Sequence, residues 1–147
     1  MNSQLILWHK LQHIFDSAEN FVAKRLQGKH SIGMSEYRAL HLLSCAPKSE
    51  LRMQELASLL NLNQSSVSRL VERLERNNYT FRDICPGDKR GIYTVLTPTG
   101  KEKYIEVKSE YEAALLEVLE EQKSDPLNKK LIEAIFSVTD SQDNRPS

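Results

Sequence analysis

One helical face in the middle of the chain constrains the fold more than any other feature. Apolar residues recur at the i, i+3, i+4, i+7 spacing of one side of an α-helix, at Val67, Leu70, Val71 and Leu74. Asn63 stands where a side chain caps the first turn of a helix, so we expect this helix to begin near Gln64. The spacing therefore predicts a short amphipathic helix with one buried side and one exposed side.

The exposed side carries short polar side chains first and arginines later. Short hydroxyl side chains let a helix approach base edges in a major groove, and arginines reach bases or phosphates. Arg76, near the end of the helix, fits either a phosphate contact or a solvated position. The candidate DNA-contacting residues of this helix are Gln64, Ser65, Ser66, Ser68, Arg69 and Arg73.

A shorter helix is predicted just before this one. Its apolar face is formed by Leu56, Leu59 and Leu60. Asn61-Leu62-Asn63 makes a tight connection, because asparagine tolerates left-handed backbone geometry. Helix, three-residue turn and helix make up the helix-turn-helix unit, whose second helix reads DNA.

A charged β-hairpin is predicted after the second helix. Two runs rich in aromatic and β-branched residues, Tyr79–Cys85 and Ile92–Leu96, flank a turn-forming segment, 86–91, that carries two cations at its tip. This prediction rests on the turn, because Tyr93 and Val95 alternate with apolar residues and leave no clearly polar face. A hairpin that follows a recognition helix is a wing.

In this order, these segments resemble the MarR family of winged-helix transcription regulators. The resemblance covers residues 34–100 by motif and the flanks by length and helical pattern. Its most specific part is the Asp-x-Arg of the wing followed by Leu-Thr-x-x-Gly. The matching residues are Glu55-Leu56-Ala57, Ser65-Ser66-Val67-Ser68-Arg69-Leu70-Val71, Arg82, Asp88-Lys89-Arg90, Leu96-Thr97 and Gly100.

The resemblance implies a single domain, residues 1–147, with a mainly α fold and a small β-wing. A winged helix-turn-helix at 34–100 is then flanked by N- and C-terminal dimerisation helices, at 1–30 and 101–140, with a flexible tail at 140–147. The implied assembly is a homodimer on double-stranded DNA with a pseudo-palindromic operator. Most members of the family are repressors, and small aromatic effectors commonly bind between the dimer helices and the helix-turn-helix. Candidate pocket residues, which core packing explains equally well, are Trp8, Phe15, Tyr37 and Tyr111.

The resemblance also assigns roles to the wing. The arginine that matches Arg90 reaches into the minor groove, where a narrow groove attracts a cation. The aspartate that matches Asp88 pairs with an arginine and braces the hairpin, and here Arg82 or Lys89 is the candidate partner. The candidate DNA-binding residues of the wing are therefore Arg82, Asp88, Lys89 and Arg90.

Three sites, with four residues in all, depart from the family pattern. Arg52 replaces a capping Thr or Ser, so the first helix of the motif is expected to be poorly capped after a loop at 47–50. Asn78 replaces the usual glycine after the recognition helix, and asparagine also adopts the left-handed conformation. Thr80-Phe81 replaces an aliphatic-polar pair at the entry to the wing.

The segment before the motif is predicted to be helical. A broad apolar stripe indicates a long helix over residues 4–26, and Gly28 and Gly33 bracket a loop. Ser35 is predicted to cap a helix that ends near Cys45.

After the wing, two cap-plus-proline pairs, Thr97-Pro98 and Asp125-Pro126, predict the starts of two further helices. The flanking helices carry apolar faces that one helix-turn-helix cannot cover. We therefore expect two protomers to pair through their first and last helices.

Charge is distributed unevenly, although the net charge is zero. Residues 61–100 hold 6 basic and 4 acidic side chains, whereas residues 101–147 hold 7 basic and 11 acidic ones. The candidate DNA-contacting surface is therefore locally basic, which favours DNA. The zero total also supports an alternative, a helical interaction module that binds a protein partner and no DNA.

A second alternative is a redox-sensing regulator. Cys45 and Cys85 lie in different predicted elements, and no disulfide is expected in a reducing compartment. The Cys85 thiol has Arg82 or Arg90 as a candidate positive neighbour. Peroxide sensors of this family carry their cysteine in the first helix, and residues 1–27 contain none.

Other classes of function lack sequence support. No catalytic or phosphate-binding motif is present, so we expect neither an enzyme nor a cofactor. His9 and His13 have a spacing that metals use, but no carboxylate or cysteine accompanies them in a tight motif, so no metal site is expected.

No segment approaches the roughly 18 apolar residues of a membrane span, and the N-terminus lacks the layout of a signal peptide. We therefore expect a cytoplasmic protein without a membrane partner.

Overall fold

A computed structural model of the protein describes residues 2–84 and 91–140. Within these ranges, no helix combines the length and the apolar character that a membrane crossing needs. The helices are α1 Asn2–His30, α2 Met34–Cys45, α3 Met53–Leu60, α4 Gln64–Arg76, α5 Pro98–Gln122 and α6 Pro126–Asp140. The strands are β1 Glu50–Arg52, β2 Thr80–Ile84 and β3 Ile92–Leu96.

Contacts divide the chain into two units. Leu26–Glu110 is called the central unit here, and Met1–Arg25 together with Tyr111–Ser147 is called the terminal unit. Helices α1 and α5 each contribute residues to both units. The predicted helix-turn-helix and hairpin belong to the central unit.

Helix α4 has the buried side that the sequence predicts. The four residues of this side are each at most 1% exposed: Val67, Leu70, Val71 and Leu74. This side packs against α2 and α3. The opposite side of α4 is consequently left to solvent.

Helix α3 and the turn after it differ in one respect from the prediction. Asn61 adopts the left-handed conformation, with φ 56°, and the Leu62 N–H donates to the Ala57 carbonyl oxygen at 2.9 Å, which closes the turn. Leu59, predicted to lie on the apolar face, is 59% exposed because it falls outside the i, i+3, i+4 stripe that starts at Met53. The buried residues of α3 are Met53, Leu56 and Ala57.

The three strands form one antiparallel sheet in the order β1-β3-β2. The predicted hairpin is confirmed, and Arg82 of β2 lies opposite Thr94 of β3. Strand β1 corrects the predicted loop at 47–50, because Glu50–Arg52 pairs with β3 and places Arg52 opposite Tyr93. The second strand ends at Ile84 within the described residues, and Cys85 lies outside them.

Both faces of the sheet are partly apolar, which explains the missing alternation in the sequence. One face is buried through Thr80, Thr94 and Leu96. On the other face, Phe81 lies opposite Val95 and is 50% exposed. This cross-strand pair of apolar side chains makes the outer face of the sheet partly apolar.

Two helix ends correct the predictions. Helix α1 runs through Gly28 to His30, because the fully buried Leu26 anchors this end and a glycine costs a helix only about 1 kcal/mol. Helix α2 begins at Met34, one residue before the predicted cap Ser35. Gly33 is the N-cap, since its extended backbone lets its carbonyl oxygen accept from the Tyr37 N–H at 3.0 Å.

The predicted starts of α5 and α6 are confirmed. The Thr97 hydroxyl oxygen accepts a hydrogen bond from the Gly100 N–H at 2.9 Å, which caps α5. Oδ1 of Asp125 accepts from the N–H groups of Leu127 and Asn128 at 2.9 and 3.2 Å, which caps α6. Each helix has its proline at the first helical position.

The terminal unit combines a small core with a wide exposed apolar surface. Its buried residues are Ile14, Ala18, Val22, Ala114, Val118 and Ile132. Its exposed large apolar residues are Leu5, Ile6, Leu7, Trp8, Phe15, Leu116, Ile135, Phe136 and Val138. One protomer therefore leaves apolar side chains of α1, α5 and α6 in contact with water.

Candidate nucleic-acid interface

Asn63 fixes the start of the candidate recognition helix. Its Oδ1 accepts hydrogen bonds from the Ser66 N–H at 2.8 Å and from the Ser65 hydroxyl at 2.9 Å. Helix α4 therefore begins at Gln64, as the sequence predicts. The cap also orients the first turn, where three of the predicted contact residues lie: Gln64, Ser65 and Ser66.

The six predicted contact residues of α4 all lie outside its buried side, and Ser65 and Arg69 lie directly opposite that side. Among the described residues, Arg69 has no hydrogen bond or ion pair, so its guanidinium is available to a ligand. The exposed members of the set are Gln64, Ser65, Arg69 and Arg73, and the half-buried members are Ser66 and Ser68.

Carboxylates hold two of the predicted contact arginines. Arg73 of α4 lies with its Nε 3.5 Å from Oε1 of Glu36, a residue in the first turn of α2. Arg82 of β2 donates from its Nε to Oε1 of Glu75, near the end of α4. The motif did not reveal either carboxylate, because these pairs join separate elements and leave no local spacing signal.

The wing is described only at its base. Arg82 is exposed and points its guanidinium at Glu75 of α4. Asp88, Lys89 and Arg90 lie outside the described residues, so their predicted roles remain predictions.

A cleft of about 230 Å³ separates the start of α3, helix α4 and the base of the wing. It brings two predicted contact residues of α4, Gln64 and Ser68, together with Arg82. Gln54 of α3 also lines it, a polar residue that no sequence motif singles out. Its other lining residues are Met53, Gly91 and Ile92.

Arg52 has a structural role in place of helix capping. Its side chain makes no cap for α3, as expected, and its backbone N–H donates to Oε1 of Glu55 at 3.2 Å. Its Nε donates to the Tyr93 hydroxyl at 2.9 Å, and its guanidinium lies 5.4 Å from the centre of that ring. Arg52 therefore joins β1 to β3 at the outer face of the sheet.

Comparison with known proteins identifies this architecture. Residues 32–92 match the sequence model of the MarR family. Residues 32–92 belong to the MarR family. The matched segment contains the helix-turn-helix and β2 and ends at the first residue of β3, so the resemblance inferred from the sequence is confirmed.

A curated relative also matches this part of the chain. It is an uncharacterized HTH-type transcriptional regulator, YkoM, from Bacillus subtilis (strain 168), and it is 32% identical over 74 residues. The alignment covers 50% of this chain and 47% of the relative, so the chain spans about half the length of the curated relative that it matches.

Solved structures extend the likeness to the whole chain. Sco3205, a MarR family transcriptional regulator from Streptomyces coelicolor crystallised in complex with DNA, has a TM-score of 0.74 and 26% identity, over 100% of this chain and 91% of that one. Wild-type MarR from E. coli, in its apo form, has a TM-score of 0.72 and 19% identity, over 88% of this chain and 94% of that one. These matches confirm the predicted mainly α fold with a small β-wing.

Proposed function

We propose that this MarR family transcriptional regulator is a homodimer that binds double-stranded DNA sequence-specifically. The exposed side of α4 carries the proposal, since it presents hydroxyl side chains at a capped first turn and arginines further along. This order suits a helix whose start enters a major groove. The complex of the similar Sco3205 with DNA supports the same function.

The positions of the described side chains on α4 support part of the proposed contact set. Arg69 is exposed and available, so we assign it a base or phosphate contact at the centre of the surface. Gln64 and Ser68 face the cleft beside the wing. The full proposed set is Gln64, Ser65, Ser66, Ser68, Arg69, Arg73, Arg82, Asp88, Lys89 and Arg90.

The exposed apolar surface of the terminal unit supports dimerisation. Its exposed apolar side chains on α1 and α6 form the kind of surface that a second copy buries. A two-fold dimer presents two copies of α4 to one face of a duplex, so the operator is a pseudo-palindrome. Binding to chromosomal DNA also agrees with the cytoplasmic location that the sequence predicts.

We further propose that the protein is a repressor and that a small aromatic effector relieves its DNA binding. An apolar cavity of about 310 Å³ in the terminal unit is lined in part by Phe15 and Tyr111, two of the predicted pocket residues. Tyr37 is instead buried in the central unit and stacked on Tyr104, with ring centres 5.8 Å apart, and Trp8 is 56% exposed. The cavity therefore supports an effector site built from Phe15 and Tyr111, without Tyr37.

A binding titration against genomic fragments at two salt concentrations tests the function. We expect a complex that survives competitor DNA and weakens as salt rises. Replacing Arg69 by Ala should lower specific affinity by about 1–3 kcal/mol and lower non-specific affinity less. Lys24→Ala is the matched control, because Lys24 is an exposed cation of the terminal unit.

The same titration separates the alternatives. A protein-interaction module would bind no fragment specifically at either salt concentration. A redox regulator would lose binding under oxidant and recover it with thiol. Of the two cysteines, Cys45 is an exposed free thiol in α2, and Cys85 lies outside the described residues.

A further inference from the structure

The ion pair between Glu75 and Arg82 joins the two DNA-contacting elements of the central unit. Arg82 lies at the base of the wing, and Glu75 lies on α4, seven residues earlier in the chain. Both side chains are partly exposed, Arg82 at 35% and Glu75 at 29%, so DNA can approach the pair. Glu36 holds Arg73 in a similar pair on the side of α4 that faces α2.

Holding an arginine through its Nε with a carboxylate has three physical consequences. The guanidinium has five N–H donors, so its Nη groups remain able to bind a base or phosphate while Nε is occupied. Because the side chain is already ordered, less conformational entropy is lost when DNA binds. The carboxylate also offsets the positive charge, which weakens attraction to phosphates of any sequence.

We propose that Glu75 is a specificity-determining positioning residue, which holds Arg82 so that α4 and the wing meet the duplex in one fixed relation. This inference rests on the DNA-binding function proposed above. Without the Glu75 carboxylate, the Arg82 side chain is no longer held in place and can contact phosphates of DNA of any sequence. Non-specific binding then gains a contact, and specific binding loses its prearranged geometry.

Two variants separate positioning from simple charge. Glu75→Gln removes one negative charge from α4 and weakens the hold on Arg82. Glu72→Gln removes the same charge one turn earlier, from an exposed side chain that has no hydrogen bond or ion pair among the described residues. Each variant is titrated with an operator fragment and with a scrambled fragment over a series of salt concentrations, after thermal unfolding has shown that it is folded.

For Glu72→Gln we expect both affinities to rise by a similar factor, so that the specificity ratio stays unchanged. For Glu75→Gln we expect the specificity ratio to fall by about fivefold or more, the lower end for a displaced base-contacting side chain. The salt dependence on scrambled DNA should steepen by about one unit of slope, since one further phosphate contact forms. A loss of stability alone does not produce this steeper slope.

The background of Arg82→Gln shows whether Glu75 acts through its partner. There, adding Glu75→Gln should leave the specificity ratio unchanged, because no arginine is left to position. The positioning role is overturned if Glu75→Gln and Glu72→Gln change the specificity ratio equally. It is also overturned if Glu75→Gln still lowers the specificity ratio in the Arg82→Gln background. A wild-type protein that binds no DNA rejects the proposed function and this inference together, whereas wild-type binding with matching glutamate variants rejects this inference alone.

Discussion

The Tyr79 carbonyl oxygen occupies the space that a side chain on Gly100 would need. A Cβ on Gly100 would lie 2.1 Å from that oxygen, far inside van der Waals contact. The approach is fixed by Thr97, whose N–H donates to the same oxygen at 3.0 Å and whose hydroxyl donates to the Asn78 carbonyl oxygen at 2.7 Å. The Leu-Thr-x-x-Gly sequence therefore ties the start of α5 to the end of the recognition helix.

We expect Gly100→Ala to destabilise the protein. The clash involves a backbone oxygen that cannot rotate away, so the free energy of unfolding should fall by about 1–3 kcal/mol, as in overpacked cores. Gly28→Ala is the control, because Gly28 lies within α1 with no atom near its Cβ position and should gain about 0.5–1 kcal/mol from helix propensity. Urea unfolding followed by circular dichroism measures both. Equal stability of Gly100→Ala and wild type would contradict the close approach.

Asp125 should make stability depend on pH at the acid end. The hydrogen bond from Lys10 Nζ, at 2.7 Å, lowers the pKa of Asp125 below its ordinary value of 3.8, and the N–H groups of Asn128 and Leu127 lower it further. Because the folded-state pKa is depressed, this contribution is fully present above the unfolded pKa. It is lost as pH falls through the folded pKa.

Two substitutions divide this contribution into its parts. Asp125→Asn keeps an oxygen that can cap α6 and removes the charge, whereas Asp125→Ala removes both. At about pH 7 the order of stability should be wild type, then Asn, then Ala, and wild type and Asn should converge at acid pH. Denaturant midpoints across the pH range measure this. A gap between wild type and Asn that stays constant with pH would show that the carboxylate charge is not involved.

The sequence predicted the elements whose own residues specify them. The Asn63 cap locates the start of α4, the apolar spacing gives its buried side, and the Thr97 and Asp125 caps locate the starts of α5 and α6. The sequence does not predict strand β1, because three residues are too few to show the alternation of a strand. This strand forms through its pairing with β3. The Glu75–Arg82 pair was missed for the same reason, since a tertiary contact between a helix and a strand leaves no local pattern.

Ile135→Asp should weaken dimerisation more than folding. Ile135 is 50% exposed on α6, so a charge there costs the protomer little, but it would be buried unpaired in an interface between terminal units. We expect a monomer at concentrations where wild type is a dimer. Leu59→Asp is the control, since Leu59 is 59% exposed on α3 and receives the same charge. Sedimentation velocity measures both, and a fully dimeric Ile135→Asp protein would place the interface elsewhere.

The proposed two-fold dimer and the wing that the family resemblance implies predict the form of the operator. Two copies of α4 must enter major grooves on one face of the duplex, about 34 Å or one helical turn apart. The half-sites should therefore lie about 10 bp apart from centre to centre, with the wings at the minor grooves that flank them. Arg90→Ala should weaken binding most where those flanks are A/T-rich, because narrow grooves attract a guanidinium. Titration with operators that differ only in their flanks measures this, and an equal loss on all flanks would indicate a phosphate contact.

The direction in which Asp88→Ala changes operator affinity is the most informative of these outcomes. A simple charge argument predicts tighter binding, because the substitution removes a negative charge close to phosphates. The bracing role that the MarR family resemblance implies predicts the opposite, since a wing without its internal ion pair loses the geometry that delivers Arg90 to the minor groove. We expect Asp88→Ala to weaken operator binding, with Asp83→Ala as the control, because Asp83 is an exposed aspartate on β2 of the same hairpin. Anisotropy titration of both variants beside wild type, with unfolding curves to check the fold, decides the question. Tighter binding by a folded Asp88→Ala protein would mean that the wing acts as an electrostatic contact alone.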